Sequence, residues 1–263
     1  MPEITFLPNR FRPGVGKEPH REGRRPLLPA LAAHCPVLVA ANALGYLVYS
    51  ALAEGEAFQI RYLPDNSLLF SFFTGNNSLQ PERAFSLRYA ISAGSVGLWT
   101  EELVYRNPSC HLEEATIFQL RDALFQAGNL GVVPGAVGLL GATSFVTPDG
   151  WDAVYTGVLN NPQPPLVAAL SVRVETDWFP FETEFRYVLQ PGDSLAVQST
   201  TPIGQVFFIP REPLTTRKGS TEEMLAFQRA IEEYRKEKAN DQLEMSYGLK
   251  YSPAYARRLK GGP

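Results

Sequence analysis

The chain has 263 residues, of which 44% are hydrophobic and 19% charged, with 22 prolines and a formal net charge of -3. This much apolar material allows a sizeable core, and a charged fraction below the roughly 25% usual in globular proteins excludes wholesale disorder and long coiled coils. Residues 1–25 and 217–260 each carry +3, whereas 26–216 hold eight arginines against seventeen acidic residues, a net of -9; an acidic body repels phosphate backbones, which argues against nucleic acid as a partner.

Residues 1–30 contain six prolines, several arginines and no apolar period. That composition predicts an extended arm with no core of its own, ordered on the surface of a partner through Arg10, Arg12, Arg24 and Arg25. Charges and prolines occupy the place of a signal peptide's apolar stretch, so none is expected. Two uncharged runs follow, 26–53 and 123–148, the first interrupted by Pro29, His34, Pro36 and Asn42 and the second by five glycines and two prolines. Both read as buried protein, and no transmembrane helix is expected.

Between residues 31 and 213 the signals are those of strands. Residues 58–63, 67–73, 84–90 and 153–158 are short, aromatic or β-branched runs divided by Pro, Asn, Gly and Asp. One internal helix is predicted over 113–127, where Ile117, Leu120, Leu124 and Ala127 recur at helical spacing before Gly128. The glycines at 128, 131, 135, 138 and 141 read as tight turns and close backbone packing. Beyond the sheet region, Ser220-Thr-Glu-Glu223 predicts a capped helix with an apolar stripe of Met224, Phe227, Ile231 and Tyr234. The last twenty residues read as irregular. The expected architecture is a mainly antiparallel β-sandwich or barrel-like domain over 31–213, with an extended arm over 1–30 and a C-terminal helix and basic tail over 214–263.

Little catalytic chemistry is legible. There is no Gly-x-Ser-x-Gly elbow, Walker loop or Gly-x-Gly-x-x-Gly. Two cysteines are too few for a disulfide framework, which sets a reduced, cytoplasmic compartment as the expectation, with membrane-peripheral contact through a partner compatible with it. His34-Cys35 and Cys110-His111 pair the only cysteines with two of the three histidines. Neighbouring side chains on a strand point to opposite faces, so two such pairs make an awkward metal site, and no metal or other cofactor is expected.

The densest polar stretch is residues 172–188. Period-two alternation sets Glu175 and Asp177 on one face with Val172, Val174, Thr176 and Trp178 on the other, and Glu182 and Glu184 opposite Phe181, Thr183 and Phe185. The plain reading is two half-buried strands with solvated acidic faces; the sharper one is that the crowded carboxylates either raise one another's pKa for acid–base work or bind a cation or a basic partner segment, with Glu175, Asp177, Trp178, Glu182 and Glu184 as the residues. No histidine, lysine or nucleophile accompanies these carboxylates, and no catalytic residue is assigned.

The same stretch carries a family resemblance. Ala41-Asn42-Ala-Leu-Gly45-Tyr46, Thr147-Pro-Asp-Gly-Trp151, Asn161-Pro162, Val174-Glu-Thr-Asp-Trp-Phe-Pro180, Pro191-Gly192, Pro202-Ile203 and Phe208-Ile-Pro-Arg211 together resemble a bacterial family catalogued as domain of unknown function 6065. The chain departs from that pattern in having Arg186-Tyr187 where the family has Asn-Trp and Thr201 where it has Glu. The resemblance implies no reaction. Asp177-Trp178, Gly192-Asp193 and the strand around Ile203 are also similar in order to the trimeric nucleotide-hydrolase β-fold, a likeness of fold only.

Two functions fit. The expected one is a non-catalytic structural or interaction subunit, bound to other protein subunits through its terminal arms. The alternative is a small-molecule enzyme or binding protein using a cavity of the β-domain near Glu175, Asp177 and Trp178.

Overall fold

The computed structural model describes residues 2–23, 35–75, 81–91, 99–127, 135–161, 167–244 and 250–261. Arg24, Arg25, His34 and Gly128, to which the sequence assigns roles, lie outside the described residues. The chain divides into two compact units, Met1–Arg211 and Glu212–Pro263.

The first unit opens with β1 (Thr5–Pro8), helix α1 (Pro36–Asn42) and the strands β2 (Tyr46–Tyr49), β3 (Ala57–Tyr62), β4 (Leu68–Thr74), β5 (Glu82–Ile91) and β6 (Trp99–Arg106). Helix α2 (Glu114–Asp122) follows, then β7 (Phe125–Ala127), β8 (Ala136–Leu140), β9 (Thr143–Val146) and β10 (Trp151–Thr156). The unit closes with β11 (Val172–Val174), β12 (Glu184–Val188), β13 (Ser194–Gln198) and β14 (Pro202–Pro210). Four antiparallel sheets result, with strand orders β13-β3-β4-β5-β6, β11-β10-β14-β2, β12-β8-β7 and β1-β9; among the described residues none closes into a barrel. The mainly β, sandwich-like architecture is the one expected.

Alternation explains the five-stranded sheet. In β3, Phe58, Ile60 and Tyr62 are buried between Gln59 and Arg61, and in β13 Leu195 and Val197 are buried between Ser194, Ala196 and Gln198. The inward face meets β7 through aromatic rings: Phe70 stacks on Phe125 at 5.5 Å, and Tyr89 meets the same ring edge-on at 5.2 Å. Strand β8, between β12 and β7, is buried at every position, so its run of Ala, Val, Gly and Leu shows no alternation. Gly138 within it is fixed by space, since a Cβ there would lie 2.0 Å from Glu184 Oε1. Gly135 at its entry has φ +80°, open to glycine and strained for other residues.

Three local expectations are corrected. The internal helix ends at Asp122 instead of reaching residue 127, because Phe125–Ala127 pairs with β8 and the Leu124 carbonyl accepts from Leu140 N at 3.0 Å. Burial of the Phe125 ring outweighs helix propensity over the last turn. Where one internal helix was expected there is a second, α1, in the run read as buried protein, with Pro36 in its first turn, where a missing N–H costs nothing.

The third correction concerns the N-terminal arm. β1 pairs with β9 from Thr5 to Pro8, and Phe6 packs edge-on against Tyr46 and Phe145. Asn9 is buried: its side-chain amide donates to the carbonyls of Ala123 and Gly141 at 3.1 and 2.9 Å, and its Oδ1 accepts from Phe11 N and Arg12 N. Residues 2–23 are therefore an outer part of the first unit, which spans Met1–Arg211, where composition pointed to a separate arm. Proline and arginine obscured this, because backbone pairing and one buried amide need no apolar period.

In the second unit, α3 (Thr221–Asn240) begins with the expected capping box: Glu223 N donates to Ser220 Oγ at 3.2 Å and Ser220 N to Glu223 Oε2 at 2.8 Å. No side chain of α3 is buried, and Met224 and Phe227 of its apolar stripe are exposed. After β15 (Leu243–Glu244) and β16 (Lys250–Tyr251) comes α4 (Ala254–Gly261), a helix where an irregular tail was expected; Arg257 pairs with Asp241 and Arg258 with Glu237 of α3. No helix among the described residues is long and apolar enough to cross a membrane.

If the N-terminal segment is an integral wall, Asn9→Ala should cost about 1–3 kcal/mol by leaving two buried carbonyls without donors. Urea unfolding checks this; an unchanged midpoint would restore the view of residues 2–23 as a detachable arm.

Candidate functional site

The site is organised by a charge that nothing in its local sequence singles out. Asp152, on β10, is 0% exposed. Arg211, just past β14, donates to its Oδ1 from Nε at 2.8 Å and from Nη2 at 2.6 Å, and Arg173 of β11 donates to Oδ2 at 2.5 Å. Nη2 of Arg211 also reaches Asp177 Oδ1 at 2.6 Å, and Gly150 N donates to the other Asp177 oxygen at 2.9 Å. Burial pushes the Asp152 carboxyl upward, but the hydrogen bonds and charges of Arg211 and Arg173 outweigh it and hold the group below its ordinary value. Asp177 is held low chiefly by the Arg211 hydrogen bond, with Gly150 N–H adding to it, and the two carboxylates raise the Arg211 guanidinium in turn.

This network changes the reading of residues 172–188. β11 stops at Val174, and residues 175–179 form a tight turn in which the Glu175 carbonyl accepts from Trp178 N at 3.3 Å and Phe179 N at 2.9 Å. Period-two alternation therefore ends before Trp178. Val174 and Thr176 are buried as expected, and the Thr176 hydroxyl bonds that of Thr147 at 2.9 Å. Trp178, expected on the apolar face, is instead 67% exposed, edge-on to Phe179 at 5.7 Å between ring centroids. Phe179 stacks against Phe181, and Phe181 packs at a tilt against the buried Tyr155.

The carboxylates also separate. Glu184, expected on a solvated face, is 3% exposed; it sits over Gly138 and accepts from Arg186 Nε and Nη2, each at 3.2 Å. Glu182 remains at the surface in an ion pair with Arg10, 2.8 Å from Nε to Oε1. The Arg10 guanidinium lies 4.4 Å from the centre of the Phe11 ring. Glu175 is half-buried and enters the site through its carbonyl.

Of the residues proposed from sequence, Arg10, Asp177, Trp178, Glu182 and Glu184 line one open groove of about 780 Å³, and Glu175 and Arg12 do not. The remaining wall includes Leu7, Phe11, Gln126, Ser144, Phe179 and Arg186. None of these was assigned to the site from sequence, because β1, β7, β9 and β12 converge only in three dimensions. Arg12 holds Glu56 at 2.7 and 3.0 Å and donates to the Ala51 carbonyl at 2.6 Å, a structural clamp. It borders a second groove of about 650 Å³ that includes Cys110 and His111. Cys35 stands at the N-cap position of α1 without a capping hydrogen bond from its side chain, and among the described residues no cluster of His, Cys, Asp or Glu could hold a metal ion.

Compared with protein-family models and with curated proteins, the chain matches none.

Two outcomes follow from this geometry. Because Asp152 and Asp177 are depressed in the fold, their contribution is complete above the unfolded value near 4 and is lost as pH falls through the folded values. Melting temperature should therefore drop on acidification below about pH 4, and Asp177→Asn should flatten that drop; an equal slope in the variant would place the acid-labile group elsewhere. Trp178→Ala should change stability by no more than about 0.5 kcal/mol, while Phe185→Ala, in the core beneath, should cost about 3–5 kcal/mol. Thermal melts separate the two, and a large loss at Trp178 would contradict its exposed position.

Proposed function

We propose that the protein is a ligand-binding protein whose binding site is the groove bordered by Trp178, Phe179, Arg10, Glu182, Glu184 and Arg186. One observation carries this reading: five residues proposed from sequence chemistry line a single groove with an exposed indole at its rim. Binding is favoured over catalysis by the pairing of Asp177, Glu182 and Glu184 with arginines. A carboxyl held low by a guanidinium, as Asp177 is, cannot act as a general acid near neutral pH.

A second reading concerns the C-terminal unit, where the uncovered stripe of Met224 and Phe227 on α3 supports attachment to another protein subunit. The two readings involve different units and are compatible. The N-terminal arm offers less support for assembly, because residues 2–23 belong to the first unit.

The groove reading is tested by nuclear magnetic resonance screening of a mixed small-molecule and peptide library against the full chain. Bound compounds should shift the Trp178 indole and the Gln126 side-chain amide, and Trp178→Ala should abolish the effect. Hits that shift only other regions would refute the groove. Native mass spectrometry of a form lacking residues 212–263 addresses the second reading, which requires loss of a complex seen with the full chain.

A further inference from the structure

Resting on the groove reading above, we infer that its ligand is a neutral oligosaccharide. The charges in and around the groove cancel: Arg10 stands against Glu182, Arg186 against Glu184, and Arg211 against Asp177. A charged ligand would have to compete with these pairs. A neutral ligand meets no such barrier.

The side chains left to greet it are of two kinds. Trp178 and Phe179 offer exposed ring surface on a turn pinned by backbone hydrogen bonds and the Arg211 bridge, so little ordering is needed on binding. Beside them the exposed Arg10–Glu182 pair supplies donors and acceptors together: a guanidinium has five N–H groups and a carboxylate about four acceptor sites, more than one pairing consumes. A sugar ring matches both, with an apolar face of C–H groups for the indole and a rim of hydroxyls that each donate and accept. An open groove of about 780 Å³ suits several sugar units laid along it.

A peptide strand is the main rival, and the backbone argues against it. A peptide gains affinity by adding to a sheet edge. Along this groove β12 is paired with β8, and Arg186 O already accepts from Leu170 N at 2.7 Å. Thr183 N donates to Ser144 Oγ, and Thr183 O accepts from Gly141 N. Recognition therefore falls to side chains.

Isothermal titration of the full chain with cellohexaose, xylohexaose, chitohexaose and maltohexaose tests the inference. At least one should bind, Trp178→Ala should weaken it by about tenfold or more, and Trp178→Phe should retain part of the affinity. Arg186→Met should weaken it as well, with melting temperature tracked to separate binding from folding. Should the neutral sugars fail while an anionic oligosaccharide or a library peptide binds in a Trp178-dependent way, the ligand class is wrong and the groove reading survives. Should a neutral sugar bind with affinity indifferent to Trp178, or should no probe of any class bind, both are overturned.

Discussion

A carboxylate without exposed surface keeps its charge in a protein only if cations stand beside it, and Asp152 has two, Arg173 and Arg211. The consequence is geometric. Arg211 follows β14, Arg173 lies on β11 and Asp152 on β10, so the buried charge ties together three neighbouring strands of one sheet. Because the same guanidinium also holds Asp177, the chain leaving β11 must turn back at residues 175–179, and that turn carries Trp178 outward. Buried ion pairs are weak evidence for stability, since desolvation offsets much of their attraction. Here their effect is positional: the network sets where an indole is presented.

The opposite wall of the groove depends on a different economy of interactions. β1 contributes few apolar contacts to the core, yet its pairing with β9, the edge-on packing of Phe6 and the five hydrogen bonds of Asn9 hold it in place. Leu7, Arg10 and Phe11 thereby face the same space as Trp178 and Phe179. Between the walls, Gly138 leaves the room that Glu184 fills, which allows a carboxylate and Arg186 to sit low in the groove among apolar neighbours. The site is thus assembled from segments far apart in sequence, each fixed by polar bonding.

That distribution explains what sequence could and could not disclose. Strands β3, β4, β5 and β10 were legible because Phe58, Ile60, Phe70, Phe85 and Tyr155 recur with turn residues between runs, and α3 because Ser220 and Glu223 spell a capping box. Residues 172–188 stood out in sequence as the densest polar stretch, but their geometry did not. Trp178 was placed on the wrong side, since alternation holds only while a strand continues and Arg211, more than thirty residues away, holds the turn that ends it; Glu184 was misplaced because Gly138 leaves room for a buried carboxylate that Arg186 pairs. Asp152 gave no signal, for one acid on a strand looks solvated until its partners are known. The N-terminal segment misled for a related reason: hydrogen bonding to β9 and a buried asparagine leave no periodic trace.

The central claim is that the Asp152, Arg211 and Asp177 network fixes the turn that presents Trp178, and heteronuclear relaxation of the tryptophan indoles tests it most directly. In the native protein the Trp178 indole N–H should be as ordered as that of Trp151, although far more exposed. In an Asp177→Asn, Arg211→Gln double variant that remains folded, Trp178 should gain fast motion while Trp151 keeps its order. An equally rigid Trp178 in that variant would show that the turn holds itself and that the buried charge does not govern the groove.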